Sequence, residues 1–171
     1  MNQKMDHAMI DDISRVTRDI ELLLAANEVA KRGRDDGKHP FGALLAGPRG
    51  EILMEQENDE HEEKGTGHAE AALVRRAVKA YRPEFLWHCT LYTTVEPCVM
   101  CAGCTYWGNI GRVVYGASEA ALLALTGDHE DNPTMSLPCR EVFAKGQKPI
   151  EVVGPVAEVE ATILDLHRDY W

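Results

Sequence analysis

His68, Cys98 and Cys101 limit what this chain can fold into more than any other residues. They stand in two short motifs, His68-Ala69-Glu70 and Pro97-Cys98-Val99-Met100-Cys101. One imidazole and two thiols are three of the four corners that zinc prefers, and a catalytic zinc leaves the fourth open for water. If one ion takes all three, two stretches far apart in the chain must finish side by side. Both motifs fall at predicted helix starts, with a strand between them. Pro97 suits the first position of a helix running to about Trp107. A Cys-x-x-Cys pair on a first turn places both sulfurs on one side, near unpaired N–H groups that favour the thiolate. Glu70 lies two residues past His68 and points elsewhere around the helix axis. It reads as a proton carrier beside the metal rather than as a fourth donor.

The rest of the chain supplies alternating strands and helices. Ile13, Val16, Ile20, Leu23, Leu24 and Ala30 recur at helical spacing, predicting an amphipathic helix from Asp11 to about Arg32, with Gly33 as its stop. Phe41–Ala46 and Ile52–Gln56 flank Gly47-Pro48-Arg49-Gly50, a sequence suited to a hairpin turn. Glu57–Gly67 reads as a loop, and His68–Tyr81 as a helix closed by Pro83. Thr90–Thr94, Arg112–Gly116 and Ile150–Val153 read as strands, and Glu119–Leu125 as a short helix. Val156, Val159, Ile163, Leu166 and Tyr170 predict a C-terminal helix. Thr126–Pro149 has no strong period, so it is either a binding loop or holds secondary structure the pattern hides. This order of elements argues for a three-layer α/β/α sandwich, one domain over 1–171.

Charge narrows the partners. Lys and Arg total 18 against 28 Asp and Glu, a formal net charge of −10. A binder of nucleic acid usually presents a basic face, and the basic clusters here are only Lys31–Arg34 and Arg75-Arg76. A small uncharged substrate fits better. The cysteines are odd in number, and Cys98, Cys101 and Cys104 crowd together, unlike a dispersed disulfide framework. No apolar run is long enough to span a bilayer, and the opening residues lack a signal-peptide pattern, so cytoplasm is the expected location.

His-x-Glu followed by Pro-Cys-x-x-Cys resembles the signature of the cytidine deaminase-like superfamily, in its branch of guanine, cytosine and tRNA-adenosine deaminases. The likeness runs from about Pro40 to Gly116 and includes Pro40-Phe41-Gly42-Ala43 and Leu91-Tyr92-Thr93-Thr94. It implies a five-stranded mixed sheet, a Zn²⁺ cofactor, a homodimer, and hydrolytic release of ammonia from an amino-bearing nucleobase or nucleoside. Guanine is the first expectation, with cytosine or isocytosine next. The resemblance further implies that Asn58 binds the base edge, with Phe41 and the backbone to Ala43 beside it. Tyr106-Trp107 is similar to bacterial guanine deaminases, whose second proton-handling aspartate would correspond to Asp128, or failing that Asp131. A solvated acidic loop is an equal reading of Asp128–Asp131.

Other residues stay open. His39 either lines the pocket or caps a turn; His129, Trp107 and Asp169-Tyr170-Trp171 either close over a base or pack. Cys104 and His88-Cys89 read as packing, and His7, His61 and His167 as solvent-facing. Two rivals remain. A tRNA-specific adenosine deaminase keeps the chemistry but needs a basic surface. A structural zinc or redox protein predicts a fourth protein ligand and no part for Glu70.

Overall fold

The computed structural model describes the backbone of residues 2–171 and the side chains from Asp12 onward, so the side chain of His7 lies outside the described residues. In chain order the elements are α1 (Asn2–Asp35), β1 (Gly42–Ala46), β2 (Ile52–Glu57), α2 (Glu60–Glu63), α3 (Ala69–Ala80), α4 (Pro83–Leu86), β3 (Thr90–Val95), α5 (Val99–Trp107), β4 (Arg112–Ala117), α6 (Glu119–Thr126), α7 (Cys139–Ala144), β5 (Glu151–Val153) and α8 (Ala157–Asp165). The strands form one sheet in the order β2-β1-β3-β4-β5. β1 runs antiparallel to both β2 and β3, while β3, β4 and β5 are parallel. The expected α/β/α sandwich with a five-stranded mixed sheet is what the chain forms.

Residues alternate along the central strands and so divide the core into two layers. Leu44, Ala46, Tyr92 and Val114 face α1 and α8, packing with Leu23, Ala26, Val159 and Ile163. Ala43, Leu45, Leu91, Val113 and Tyr115 face α3, α5 and α7, packing with Leu73, Val74, Ala102 and Phe143. α1 sits hard against the sheet because Gly42 has no side chain: a Cβ there would stand 2.3 Å from the Ala26 carbonyl oxygen.

The phase of α1 departs from expectation. Ile13, Val16 and Leu24 are exposed, and the buried face is Asp19, Leu22, Leu23, Ala26, Asn27, Val29 and Ala30. The reason is a buried charge. Asp19 accepts two hydrogen bonds from the Arg112 guanidinium, at 2.8 and 2.6 Å, and one from the Tyr92 hydroxyl at 2.7 Å. This contact turns a polar residue inward and fixes the rotation of the helix. The helix also continues past Gly33 to Asp35.

One helix start and one loop reading also differ, and the aperiodic stretch holds the secondary structure its pattern hid. Pro97 precedes the helix rather than opening it, because Cys98 takes the extended N-cap conformation (φ −62°, ψ 170°) and α5 begins at Val99. Thr126–Pro149 contains α7, and Glu57–Gly67 contains α2, helices too short to display a period. Among the described residues no helix is long and apolar enough to cross a membrane.

Candidate active site

Parallel strands followed by helices place helix starts at one edge of the sheet, and the chemistry gathers there. His68 is the residue before α3, and Cys98 and Cys101 lie at the start of α5. The Nδ1 of His68 and Sγ of Cys98 are 3.5 Å apart, and all three donor atoms lie within 4.8 Å of one another. A tetrahedral zinc with ordinary Zn–N and Zn–S bonds has donor-to-donor edges of roughly 3.5–3.8 Å. One nitrogen and two sulfurs at this spacing fit that ion. Among the described residues no fourth His, Cys, Asp or Glu joins the group. A closed structural site would require one.

Proton sharing follows the contacts. The Cys101 thiol and then His68 pull the Cys98 thiol down to about 4. The Cys98 contact carries His68 up to about 9, and the same pairing, with burial, holds Cys101 above its ordinary value. Glu70 is buried, and desolvation raises its carboxyl. The Thr93 hydroxyl donates to Glu70 Oε1 at 3.0 Å, which orients the carboxylate from the central strand.

The group opens on a cavity of about 490 Å³ whose wall includes His68, Cys98, His39, Phe41, Asn58, Glu60, Lys64 and Met100. Asn58 is buried, and its Oδ1 accepts from the Ala69 N–H at 3.1 Å, tying the loop after β2 to the start of α3. Phe41 packs its ring 5.0 Å from that of His167, and His39 lies 4.9 Å from Trp171, so the terminal aromatics brace this wall.

Not every expected residue reaches the cavity. Ala43 is fully buried in the core layer under α3. Trp107 is 82% exposed at the far end of α5, about 13 Å along the helix from Cys98 at the usual rise per residue. Asp128 faces solvent, whereas Asp131 is on the cavity wall. Cys104 packs against the Ala71 carbonyl, and Cys89 is buried with its thiol donating to the Phe85 carbonyl. His61 is exposed as expected. His167 is not: it is 2% exposed with neither ring nitrogen partnered, since Phe41 and Trp171 enclose it, and burial holds it down to about 4.

Sequence reasoning missed Glu119, Asn132, Pro133, Thr134 and Met135, all on the wall. Burial, with the Cys98 thiolate and two carboxylates nearby, lifts Glu119 to about 7. The signal that could have found the others was the aperiodic stretch Thr126–Pro149.

Residues 16–117 match the cytidine and deoxycytidylate deaminase zinc-binding region. A probable cytosine deaminase of Schizosaccharomyces pombe is 36% identical over 90% of this chain and 93% of its own length. A tRNA-specific adenosine deaminase of Bacillus subtilis is 37% identical over 61% of this chain and 65% of its own. Guanine deaminase from Nitrosomonas europaea shares the fold, with a TM-score of 0.67 over 86% of this chain and 81% of that one, at 20% identity. With that match across more than half its length and the nitrogen–sulfur triad at the mouth of two helices, the chain belongs to the cytidine and deoxycytidylate deaminase family of zinc-dependent enzymes.

Proposed function

We propose that His68, Cys98 and Cys101 hold one zinc ion, and that Glu70 moves the protons in hydrolytic deamination of a small free nucleobase. The observation that carries this reading is the three-donor group with a buried carboxylate beside it and a base-sized cavity before it. When bound, zinc supplies the Lewis acidity that makes water a nucleophile near neutral pH. Glu70 accepts a proton from water as the water oxygen bonds to the ring carbon bearing the amino group. It passes that proton to the neighbouring ring nitrogen, then takes the proton of the newly formed hydroxyl and delivers it to the departing amino group. The C–N bond breaks, ammonia leaves, and a ring carbonyl remains. Thr93 holds one carboxylate oxygen, leaving the other to turn between water and substrate. Desolvation raises the Glu70 carboxyl above its ordinary value, the direction that favours proton uptake.

Charge supports a free base over a nucleotide. The cavity wall sets Glu60 and Asp131, with Glu119 partly charged near neutral pH, against Lys64, so a phosphate would meet net repulsion. Similarity to the tRNA-specific enzyme of B. subtilis favours a second reading, adenosine in tRNA. That reading is opposed by the acidic wall and the net charge of −10. Guanine and cytosine are the first bases to test, with isocytosine beside them. The S. pombe relative supports the pyrimidine. We further propose a homodimer, supported by Met100 and Trp107 standing exposed along α5, and a reducing cytoplasmic location, supported by five free cysteines. The chain acts as one domain in this proposal.

Ammonia release from a panel of these bases, with adenine and cytidine as controls, tests the reading. Glu70→Gln is expected to lower turnover by about 100-fold or more while zinc stays near one per chain. Undiminished turnover in that variant would refute the assignment.

A further inference from the structure

We propose that Glu119 and Asn132 form the edge of the cavity that reads the base, Glu119 accepting a ring N–H and Asn132 donating to the carbonyl beside it. The inference rests on the deaminase reading above and names the substrate feature that reading leaves open. Glu119 is the first residue of α6, where an acidic side chain ordinarily points into water beside the free N–H groups of the first turn. Here that turn is already served. The Ser118 hydroxyl oxygen accepts from the Ala121 N–H at 3.1 Å, and the Glu119 N–H lies 3.5 Å from Glu96 Oε2. The Glu119 side chain instead joins His68 and Cys98 on the cavity wall. The Thr134 hydroxyl faces it short of a well-formed hydrogen bond.

Asn132 comes from the loop between α6 and α7 and lines the same cavity. Its backbone N–H is bonded to the His129 carbonyl at 3.0 Å, so the residue is fixed in place. Its side-chain Nδ2 is buried and has no partner in the protein. A buried amide N–H without an acceptor is costly and calls for a ligand atom. Together the two residues offer an acceptor and a donor lining the same cavity, with Phe41 and Asn58 also on its wall. The complement of that pair is a lactam, an N–H next to a C=O within a ring. Guanine, cytosine and isocytosine each carry one. Adenine carries none, and in cytidine the sugar replaces the ring N–H.

Binding of cytosine and 1-methylcytosine, and of guanine and 1-methylguanine, to the zinc-loaded Glu70→Gln protein tests this by calorimetry without turnover. Methylation of the ring N–H should weaken binding by about tenfold or more. In the Glu119→Ala, Glu70→Gln double variant that ratio should shrink toward one, and Glu119→Gln should restore part of it. Asn132→Ala should weaken both members of each pair by about the same factor. In the chain with Glu70 intact, Glu119→Ala should raise KM far more than it lowers kcat. A methyl penalty of equal size with and without the Glu119 carboxylate would overturn the proposal, because steric exclusion predicts that result. Loss of every turnover in the unmodified chain, with the methyl ratio intact, would instead sink the deaminase reading and leave the lactam edge standing.

Discussion

A single imidazole shows how far a side chain can stand from what its position in the sequence suggests. His167 follows a helix rich in charged residues, which predicts exposure, yet it is shut between Phe41 and Trp171 with both ring nitrogens bare. Burial, with Arg34 and His39 nearby, lowers its proton affinity from the ordinary 6.5 to about 4. Between those values the unfolded chain binds a proton that the folded chain refuses. The His167 contribution is therefore complete above pH 6.5 and is lost as pH falls toward 4, by about 3 kcal/mol in all. In His167→Phe, urea unfolding from pH 7 to pH 4 should lack that part of the acid slope. An unchanged slope would show that the ring is solvated. By contrast, the gathering of His68, Cys98 and Cys101 was legible from sequence because one imidazole and two thiols at that spacing admit few arrangements. Asn58 and Phe41 came with the family resemblance and do line the cavity. Ala43, which came with the same resemblance, and Trp107, which was open between closing over a base and packing, do not, since strand alternation sends one into the core and helix length carries the other away.

At the scale of elements, long periodic or turn-marked segments were readable and short ones were not. The β1–β2 hairpin follows from Pro48 and Gly50, and α3 from its run of helix formers. α2, α4 and α7 have four to six residues each, too few for a period to declare itself. α7 is positioned by a contact instead: its first N–H, that of Cys139, donates to Glu96 Oε1 at 2.9 Å. The rotation of α1 was also hidden, since it depends on Arg112 in a distant strand. Asp19→Ala should leave the buried Arg112 with only the half-exposed Glu151 carboxylate, 3.3 Å from its Nε, as counter-charge, and lower stability by roughly 3 kcal/mol. Urea denaturation should show the midpoint falling with little change in slope, and zinc content should hold under native conditions. A loss below about 1 kcal/mol, the range of exposed pairs, would mean that the pair is solvated.

Across the whole molecule, the layered architecture was legible because strands and helices alternate cleanly and only one arrangement buries both faces of the sheet. The cavity was not, because its far wall is a loop whose residues share no pattern. Cys101 is fully buried while His68 and Cys98 are partly open toward that cavity. On the proposed reading, the cavity is the doorway for an ion held there, and a bound base would stand in it. Chelation and turnover should then compete for passage: a saturating concentration of a slowly processed base should slow zinc extraction by a chelator several-fold, read with a metal-sensitive dye. Stripping at the same pace with the doorway filled would mean that the metal has a back exit. If the doorway is shared, the enzyme is hardest to disarm while it is working.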